Sequence, residues 1–289
     1  IKFKNPDDRT KVLKDIIGKT SYKSLREKYG IKKWDINSFS DIPLKDFHSQ
    51  ELCKDPKSPW LESYKGSPND RLFKEYAEHI KNMIVKCCGL NPTRDVQLCL
   101  DLNVDFLGFI FYEKSPRNIK ISDLDILKNY NRKNSFFTAV TVNANNEFID
   151  QINSKNIQCI QLHGSETNDR IKEIKTRSKL KVIKTVQVRS ETDINTYKQY
   201  FDADYILFDT PSMEGSIEFP IDLIQKLPKG EAFALAGSIS VETIENIAKL
   251  GVKFCDLSSK LESKLGYKDP KKIINFMNKI KEINENTSF

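Results

Sequence analysis

The chain has 289 residues, of which 38% are hydrophobic and 30% are charged, and its formal net charge is +7. This balance is typical of a globular protein with one large core and an extension, or with two modest domains. Because no apolar run reaches the ~18–20 residues of a membrane span, we expect no membrane contact. Six cysteines without CxxC spacing and three scattered histidines predict no disulfide scaffold and no metal cluster, and they favour a cytoplasmic protein.

The basic excess lies at the amino terminus. Residues 1–33 contain 11 Lys and Arg against 4 Asp and Glu, whereas the rest of the chain balances at 36 against 36. Apolar periodicity predicts helices at about 7–17, 22–29 and 69–82, so we expect residues 1–82 to form a basic, mainly helical extension. Residues 21–36 have a faint helix-turn-helix spacing. A solvated basic helical pair explains the same pattern, and we favour it over nucleic-acid binding.

From residue 83 onward, short apolar runs alternate with helical segments. Eight runs are rich in β-branched or aromatic residues, as in strands buried on both faces. They occupy residues 83–88, 104–111, 136–142, 157–162, 181–186, 204–209, 232–237 and 253–258. The helical segments occupy residues 93–102, 122–130, 145–153, 168–177, 191–201, 220–227, 241–250 and 270–284. Eight complete strand–helix units predict a closed (β/α)8 barrel, or TIM barrel, over residues 83–289, rather than an open sheet.

The carboxyl ends of the strands carry the candidate functional residues, because active sites of such barrels form there. They supply a thiol, an arginine, a histidine and a carboxylate, and two small-residue turns follow the last two strands. In chain order these residues are Cys88, Arg117, His163, Asp209, Gly237, Ser238, Ser258 and Ser259. Small residues let backbone N–H groups approach an anion closely, so the two turns predict a phosphate site.

Seven motifs on these strands follow a shared order. They are Lys86-Cys87-Cys88-Gly89-Leu90, then 106–111 with Ser115-Pro116-Arg117, Val142-Asn143, Gln161-Leu162-His163-Gly164, Leu207-Phe208-Asp209-Thr210, Leu235-Ala236-Gly237, and Asp256-Leu257-Ser258-Ser259 through Glu262 to Gly266-Tyr267-Lys268-Asp269. In this order the chain resembles the phosphoribosylanthranilate isomerase family of tryptophan biosynthesis. The resemblance covers residues 83–289 and leaves residues 1–82 unexplained. It implies a cofactor-free isomerase that converts N-(5-phosphoribosyl)anthranilate to 1-(2-carboxyphenylamino)-1-deoxyribulose 5-phosphate.

The implied reaction is an Amadori rearrangement, which opens an aminofuranose to an aminoketose. The resemblance implies that Asp209 is the acid that protonates the ring oxygen and that Cys88 is the base that takes the proton from sugar C2. It also implies that Arg117 binds the anthranilate carboxylate. The structural alternatives are a merely buried thiol, a turn cap and a surface ion-pair partner, and we favour the functional interpretation for all three.

Further contacts to the substrate are expected around this acid–base pair. The candidates are His163, Gly215, Gly237, Ser238, Asp256, Ser258, Ser259 and Lys260. For His163 we favour a packing role in its turn over a ligand contact. Cys87 should face the opposite side of its strand from Cys88 and serve as packing.

Three loops depart from the family's glycine pattern. Gly-Gly-Thr-Gly, Gly-Gly and Ser-Ser-Gly of the family stand here as Met213-Glu214-Gly215-Ser216, Gly237-Ser238 and Ser258-Ser259-Lys260. Glycine permits positive φ and leaves room for phosphate oxygens, so these changes weaken the predicted phosphate site. Lys260 would compensate with an ammonium group, whereas Glu214 would repel a phosphate. A second interpretation therefore stays open, namely a catalytically weakened or repurposed barrel that acts as a binding or scaffold subunit, with nucleic acid reached through the basic arm.

The chain opens Ile-Lys-Phe-Lys without an initiator Met. We therefore expect a processed form or a piece of a longer protein. A fused domain or another enzyme of the tryptophan pathway is the expected protein partner, and a phosphorylated sugar–anthranilate conjugate is the expected small-molecule partner.

Overall fold

The computed structural model describes residues 83–210 and 219–286. The interpretations made for residues 1–82, and for Gly215 and its neighbours in residues 211–218, lie outside the described residues. The division of the chain into a helical extension and a barrel at residues 82 and 83 accordingly stays a prediction.

Eight parallel strands close into a barrel in chain order, which confirms the predicted (β/α)8 fold. The strands are β1 Ile84–Cys88, β2 Phe106–Phe111, β3 Phe136–Thr141, β4 Cys159–Leu162, β5 Lys181–Gln187, β6 Tyr205–Asp209, β7 Phe233–Leu235 and β8 Phe254–Leu257. The barrel closes where β1 pairs with β8, and this pairing sets Lys86 opposite Asp256. Each of the eight apolar runs in the sequence corresponds to one strand, and β5 extends one residue beyond its run.

Helices follow the strands on the outside of the barrel. The α-helices are α1 Val96–Asp101, α2 Asn146–Asn153, α3 Asn168–Arg177, α4 Glu191–Ile194, α5 Ile221–Lys226, α6 Ile244–Lys249 and α7 Pro270–Asn286. α3 begins and ends where the sequence predicted. The segment predicted at residues 191–201 is split into α4 and a 3₁₀ turn, Asn195–Gln199. Among the described residues, none of these helices combines the length and the apolar character of a membrane span.

The second helical segment is a 3₁₀ helix, Ile121–Asn129, rather than the α-helix predicted at residues 122–130. Leu124 and Leu127 are its buried residues, and Ile121 and Tyr130 continue the same three-residue spacing at half-buried positions. A 3₁₀ helix has three residues per turn, so this spacing directs one row of apolar side chains at the barrel. The three-residue spacing is the physical reason for the tighter helix.

The interior of the barrel has an apolar layer below a polar one. Aromatic rings fill the lower layer, where Phe106 stacks between Phe136 and Phe254 with ring centroids 5.0 Å apart in each case. Successive inward positions of a strand are two residues apart. The inward positions one step nearer the carboxyl ends are mostly polar. They include Lys86, Thr138, Gln161, Thr185, Asp209 and Asp256. The polar layer is the floor of the barrel mouth.

A short hairpin follows β8, and the sequence did not predict it. A 3₁₀ turn, Ser259–Leu261, leads into β9 Glu262–Lys264, which pairs antiparallel with β10 Tyr267–Lys268. Gly266 makes the connection with φ 78°, a conformation that favours glycine. Strands this short lack the apolar run by which the barrel strands were recognised.

Candidate active site

Cys88 lies at the carboxyl end of β1, buried and directed into the barrel mouth. It shares a small space with Lys86, because a Cβ atom built at Gly108 would lie 3.0 Å from Cys88 Sγ and 3.2 Å from Lys86 Nζ. Gly108 therefore makes room for both groups. Burial raises the pKa of the Cys88 thiol, and the positive charge of Lys86 opposes that rise. Cys87 packs on the opposite face in the outer core, as its alternation predicted.

Lys86 and Asp256 form an ion pair inside the barrel. The Lys86 ammonium donates to Asp256 Oδ2 over 2.8 Å, and the two residues are 1% and 7% exposed. Burial acts against the charge of Lys86, but the charges of Asp256 and Cys88 and the hydrogen bonds to both together outweigh burial and raise the lysine pKa. The other oxygen, Asp256 Oδ1, is buried and has no hydrogen-bond partner within the described part of the chain. Asp256 thus lies in the mouth, as expected for a ligand contact, but its nearest charge is Lys86.

Asp209 ends β6, and its side chain is 23% exposed. Burial, and then the negative charge of Asp256, raise the pKa of Asp209 to about 7. A carboxyl group with this pKa is about half protonated at neutral pH and can donate a proton. His163 Nε2 lies 3.5 Å from Asp209 Oδ2. Burial, followed by the charge of Lys86, lowers the pKa of His163 to about 4, so His163 is a neutral neighbour of the acid at pH 7.

Arg117 reaches the same mouth from the loop after β2. A Cβ atom at Gly89 would lie 2.5 Å from Arg117 Cδ, so this glycine, with φ 73°, provides the space for the arginine beside Cys88. The guanidinium binds Glu262 in a bidentate pair, with Nε–Oε1 2.6 Å and Nη2–Oε2 2.7 Å. One edge of the arginine fork is thereby occupied, and the donors of Nη1 and the second N–H of Nη2 face elsewhere.

Glu262 and Lys268 connect the hairpin to the acid–base site. Lys268 Nζ donates to Glu262 Oε1 over 2.9 Å and to the backbone oxygen of Ser258 over 3.0 Å. The hydroxyl of Ser258 in turn donates to the backbone oxygen of Cys88 over 3.1 Å. Ser258 therefore supports the end of β1 with its side chain. These contacts link Arg117 to Cys88 through the hairpin.

Of the two described loops that lack family glycines, the loop after β7 has positive φ values. After β7, Gly237 has φ 102° and Ser238 has φ 48°, so the serine adopts a conformation normally taken by glycine. After β8, Ser259 begins the 3₁₀ turn and Lys260 is exposed in it. Hydrogen bonds from Ser240 and from its own backbone N–H, and after them the charge of Lys260, lower the pKa of Glu242, which follows β7. Lys260 therefore lies close enough to act on the loop after β7.

The predicted residues fall into two groups. Cys88, Arg117, His163, Asp209 and Asp256 meet in the mouth of the barrel, whereas Gly237, Ser238, Ser258, Ser259 and Lys260 form the loops after β7 and β8. Gly215 lies outside the described residues. Sequence patterns predicted no role for the ion-paired residues Lys86, Glu262 and Lys268. All three lie within the first and last of the seven family-like motifs, and that position was the sequence signal that could have indicated them.

A family model described as N-(5'phosphoribosyl)anthranilate (PRA) isomerase matches residues 85–279. The chain belongs to the PRA isomerase family. The PRA isomerase of Sinorhizobium medicae (strain WSM419) is 34% identical over 195 residues, which cover 64% of this chain and 91% of that protein. The PRA isomerase of Rhizobium rhizogenes (strain K84 / ATCC BAA-868) is 33% identical over 211 residues, which cover 70% of this chain and 95% of that protein.

Solved structures of PRA isomerases share the fold. The crystal structure of the Thermotoga maritima enzyme is 28% identical, with a TM-score of 0.62, and covers 69% of this chain and 99% of that one. A second PRA isomerase structure, in complex with reduced 1-(o-carboxyphenylamino)-1-deoxyribulose 5-phosphate, is 27% identical with a TM-score of 0.59. It covers 69% of this chain and 99% of that one. The matched part of the chain is the barrel, which corresponds to nearly the whole length of these relatives.

Proposed function

We propose that this barrel converts N-(5′-phosphoribosyl)anthranilate to 1-(2-carboxyphenylamino)-1-deoxyribulose 5-phosphate in tryptophan biosynthesis. One observation carries the proposal beyond family membership. Asp209, a carboxyl group with a pKa of about 7, ends β6 at the mouth of the barrel. The Cys88 thiol lies in the same mouth with the Lys86 ammonium group beside it. Such a pair supplies an acid and a base in one cavity, as the rearrangement requires.

The reaction proceeds through a proton transfer from Asp209, a proton transfer to Cys88 and a final tautomerisation. Asp209 gives its proton to the ring oxygen as the bond between that oxygen and C1 breaks, and the anilino nitrogen supplies the electrons that form an iminium. The Cys88 thiolate then removes the proton from C2, and the electrons of that C–H bond neutralise the iminium to give an enolamine. Transfer of the O2 proton to C1 gives the aminoketose. Asp209 is left as a carboxylate and Cys88 as a thiol, so the two must exchange one proton through solvent before the next turnover.

The substrate is held at its two anionic ends. Arg117 is the proposed ligand of the anthranilate carboxylate, through the fork edge that Glu262 leaves open, and Glu262 fixes the orientation of the guanidinium. The loops after β7 and β8 are the proposed phosphate site, with Gly237, Ser238, Ser258, Ser259 and Lys260 as its residues and Gly215 as a further candidate. The positive φ values at Gly237 and Ser238 support this assignment, because such turns direct backbone N–H groups at an anion. The solved relative with a bound phosphorylated compound also supports it.

Two further proposals concern the cell compartment and the protein partner. We propose that the enzyme works in the reducing cytoplasm, because a thiolate base must stay reduced and the five cysteines of the described residues are free. We also propose a fused domain or another enzyme of the pathway as the protein partner of this chain.

A turnover assay combined with a binding assay separates the isomerase from a catalytically weakened barrel. Purified chain is mixed with freshly prepared N-(5′-phosphoribosyl)anthranilate, and product is quantified by chromatography. Binding of the reduced product analogue is measured in parallel by calorimetry. Enzyme-dependent product formation is expected. Tight binding of the analogue without any product would instead favour the weakened barrel, and neither binding nor turnover would remove the proposed substrate.

A further inference from the structure

A buried ion pair, Lys86 with Asp256, lies in the polar layer of the barrel, and the two proton transfers above leave it without a role. Its residues sit opposite each other on β1 and β8, where closure of the barrel brings them together. Replacing a buried ion pair by apolar residues of similar volume is often neutral or stabilising, so fold stability is a weak reason for its presence. Its position relative to the acid and the base offers a better one.

The cationic end of the pair is directed at the base. A Cβ atom built at Gly108 would lie 3.0 Å from Cys88 Sγ and 3.2 Å from Lys86 Nζ, so the thiol and the ammonium are immediate neighbours. A nearby positive charge favours a thiolate over a thiol. Two other cations act on the same thiol from other elements, Lys268 from β10 and Arg117 from the loop after β2. Of these cations, Lys86 lowers the pKa of Cys88 most.

The anionic end of the pair shares the polar layer with the acid, because Asp256 in β8 and Asp209 at the end of β6 both occupy inward positions near the carboxyl ends of their strands. After burial, the charge of Asp256 is the largest cause of the raised pKa of Asp209, and Lys86 weakly opposes it. Two carboxylates that are close together do not both ionise easily, so the ionised Asp256 disfavours ionisation of Asp209. The other titratable group beside Asp209 is His163, at 3.5 Å. Burial raises the pKa of Asp256, and the charge and hydrogen bond of Lys86, 2.8 Å away, oppose that rise and favour the ionised carboxylate.

We propose that Lys86 and Asp256 are positioning residues of the acid–base pair, in which the Lys86 ammonium stabilises the Cys88 thiolate and the Asp256 carboxylate keeps the proton on Asp209. The inference rests on the proposed function for the roles of Cys88 and Asp209. A single ion pair thereby prepares both groups at once, since the rearrangement needs a deprotonated base and a protonated acid in the same molecule.

The thiol is tested without substrate, by the pH dependence of its alkylation. Iodoacetamide labelling of Cys88 is followed by tandem mass spectrometry, which separates Cys88 from Cys87, and the midpoint of the rate–pH curve gives the pKa. Lys86→Met, which removes the charge but keeps the chain length, should raise this midpoint by about one unit or more. Asp256→Asn, which removes the opposing charge and keeps the shape, should lower the same midpoint.

A matched control comes from the other side of the sheet. Lys184 is also buried and ion-paired, with Glu166 Oε2 3.0 Å from its Nζ, but it alternates to the outer face of β5. Lys184→Met therefore removes a buried lysine charge without removing one from the mouth, and the Cys88 midpoint should not move. If Lys86→Met left the midpoint unchanged as well, the proposal would be overturned. Should Lys86→Met fail to fold, Asp256→Asn decides, because an unchanged or raised midpoint in that variant contradicts the proposal.

The acid is tested by carbon-13 NMR of aspartate labelled at the side-chain carboxyl, with the Asp209 signal assigned by Asp209→Asn. The signal should titrate near pH 7 in the native chain and at lower pH in Asp256→Asn. An Asp209 midpoint that is the same in both would remove the role of Asp256. Both titrations need no turnover. A chain that shows the shifts but makes no product would retain this inference and lose the proposed function.

Discussion

Burial and neighbouring charges set the protonation order of Asp209 and Cys88. The pKa of Asp209 is raised to about 7, and the pKa of Cys88 is raised above its usual value. The acid therefore loses its proton at a lower pH than the base does. The reactive form, with protonated Asp209 and Cys88 thiolate, is a minor species at every pH. Its fraction rises up to the pKa of Asp209, stays constant between the two values and falls above the pKa of Cys88.

We therefore predict that the rising limb of the kcat–pH profile breaks near pH 7 and reports Asp209, while the falling limb reports Cys88. The kcat profile is the correct observable because it is free of the titration of unbound substrate phosphate. Alkylation of Cys88 in the free enzyme gives the thiol pKa independently, and that value should lie near the falling limb. An alkylation midpoint near the rising limb would reverse the assignment.

We predict that Lys260 compensates for the glycine that the loop after β8 lacks. Lys260→Ala should weaken phosphosugar binding by about 1–3 kcal/mol, the usual range for a hydrogen bond to a charged group. The loss should appear in KM, because the phosphate is held alike in the ground and transition states. Lys260→Gly should be milder, since it restores backbone freedom, and Lys253→Ala before β8 is the control. Unchanged KM in both Lys260 variants would mean that Lys260 does not contact the phosphate.

At the scale of residues, the buried lysines were the main feature of the site that sequence patterns did not predict. Among the described residues the buried lysines are Lys86, Lys184 and Lys268, and each is paired with a carboxylate. Sequence patterns did indicate Cys88 and Asp209, because both stand at the ends of apolar runs. The partners of the lysines were not predictable in the same way. Lys86 and Asp256 are separated by 170 positions and meet only through the register of β1 against β8.

At the scale of elements, the hairpin of β9 and β10 holds Arg117, the proposed ligand of the anthranilate carboxylate, through Glu262. Glu262 is 5% exposed and pairs with Arg117 and with the fully buried Lys268. Although burial acts against its ionisation, Arg117 and Lys268 lower the pKa of Glu262 below its ordinary value of 4.5. A carboxyl group whose pKa is lowered on folding stabilises the fold above its unfolded pKa, and that contribution is lost as pH falls through the folded value.

Glu262→Gln should therefore reduce the free energy of unfolding at pH 7 by about 3 kcal/mol, because it leaves two cations without their carboxylate. The difference from the native chain should shrink as the pH falls below about 4.5. Urea denaturation at several pH values measures it. Glu245→Gln, in an exposed pair with Lys249, is the matched control and should change stability much less. A loss that did not depend on pH would show that the charge of Glu262 is not the cause.

The barrel strands were predictable because each is a continuous apolar run. α3 was also predicted with its exact bounds, and in the structure Thr167 caps its amino end. The 3₁₀ helix Ile121–Asn129 and the hairpin were not. Apolar residues that recur at every third position resemble an irregular α-helical pattern in a segment this short. The hairpin strands hold only three and two residues, fewer than periodicity can detect.

At the scale of the whole molecule, the eight strand–helix units are complete within residues 83–286. We predict that a chain lacking residues 1–68 still folds cooperatively and retains turnover, which circular dichroism and the isomerase assay would check. A nucleic-acid affinity that disappears with this deletion and falls steeply with salt would instead support the nucleic-acid interpretation of the basic arm. Unfolding of the shortened chain would show that the arm is needed for barrel stability.

The most direct measurement is the turnover number of three single variants on N-(5′-phosphoribosyl)anthranilate. Cys88→Ser and Asp209→Asn should each reduce kcat by roughly two to four orders of magnitude while the fold, monitored by circular dichroism, stays intact. Cys87→Ser, on the opposite face of the same strand, should have a far smaller effect. Near-native kcat in either of the first two variants, or equal losses at Cys87 and Cys88, would contradict the assignment of Cys88 and Asp209 as base and acid.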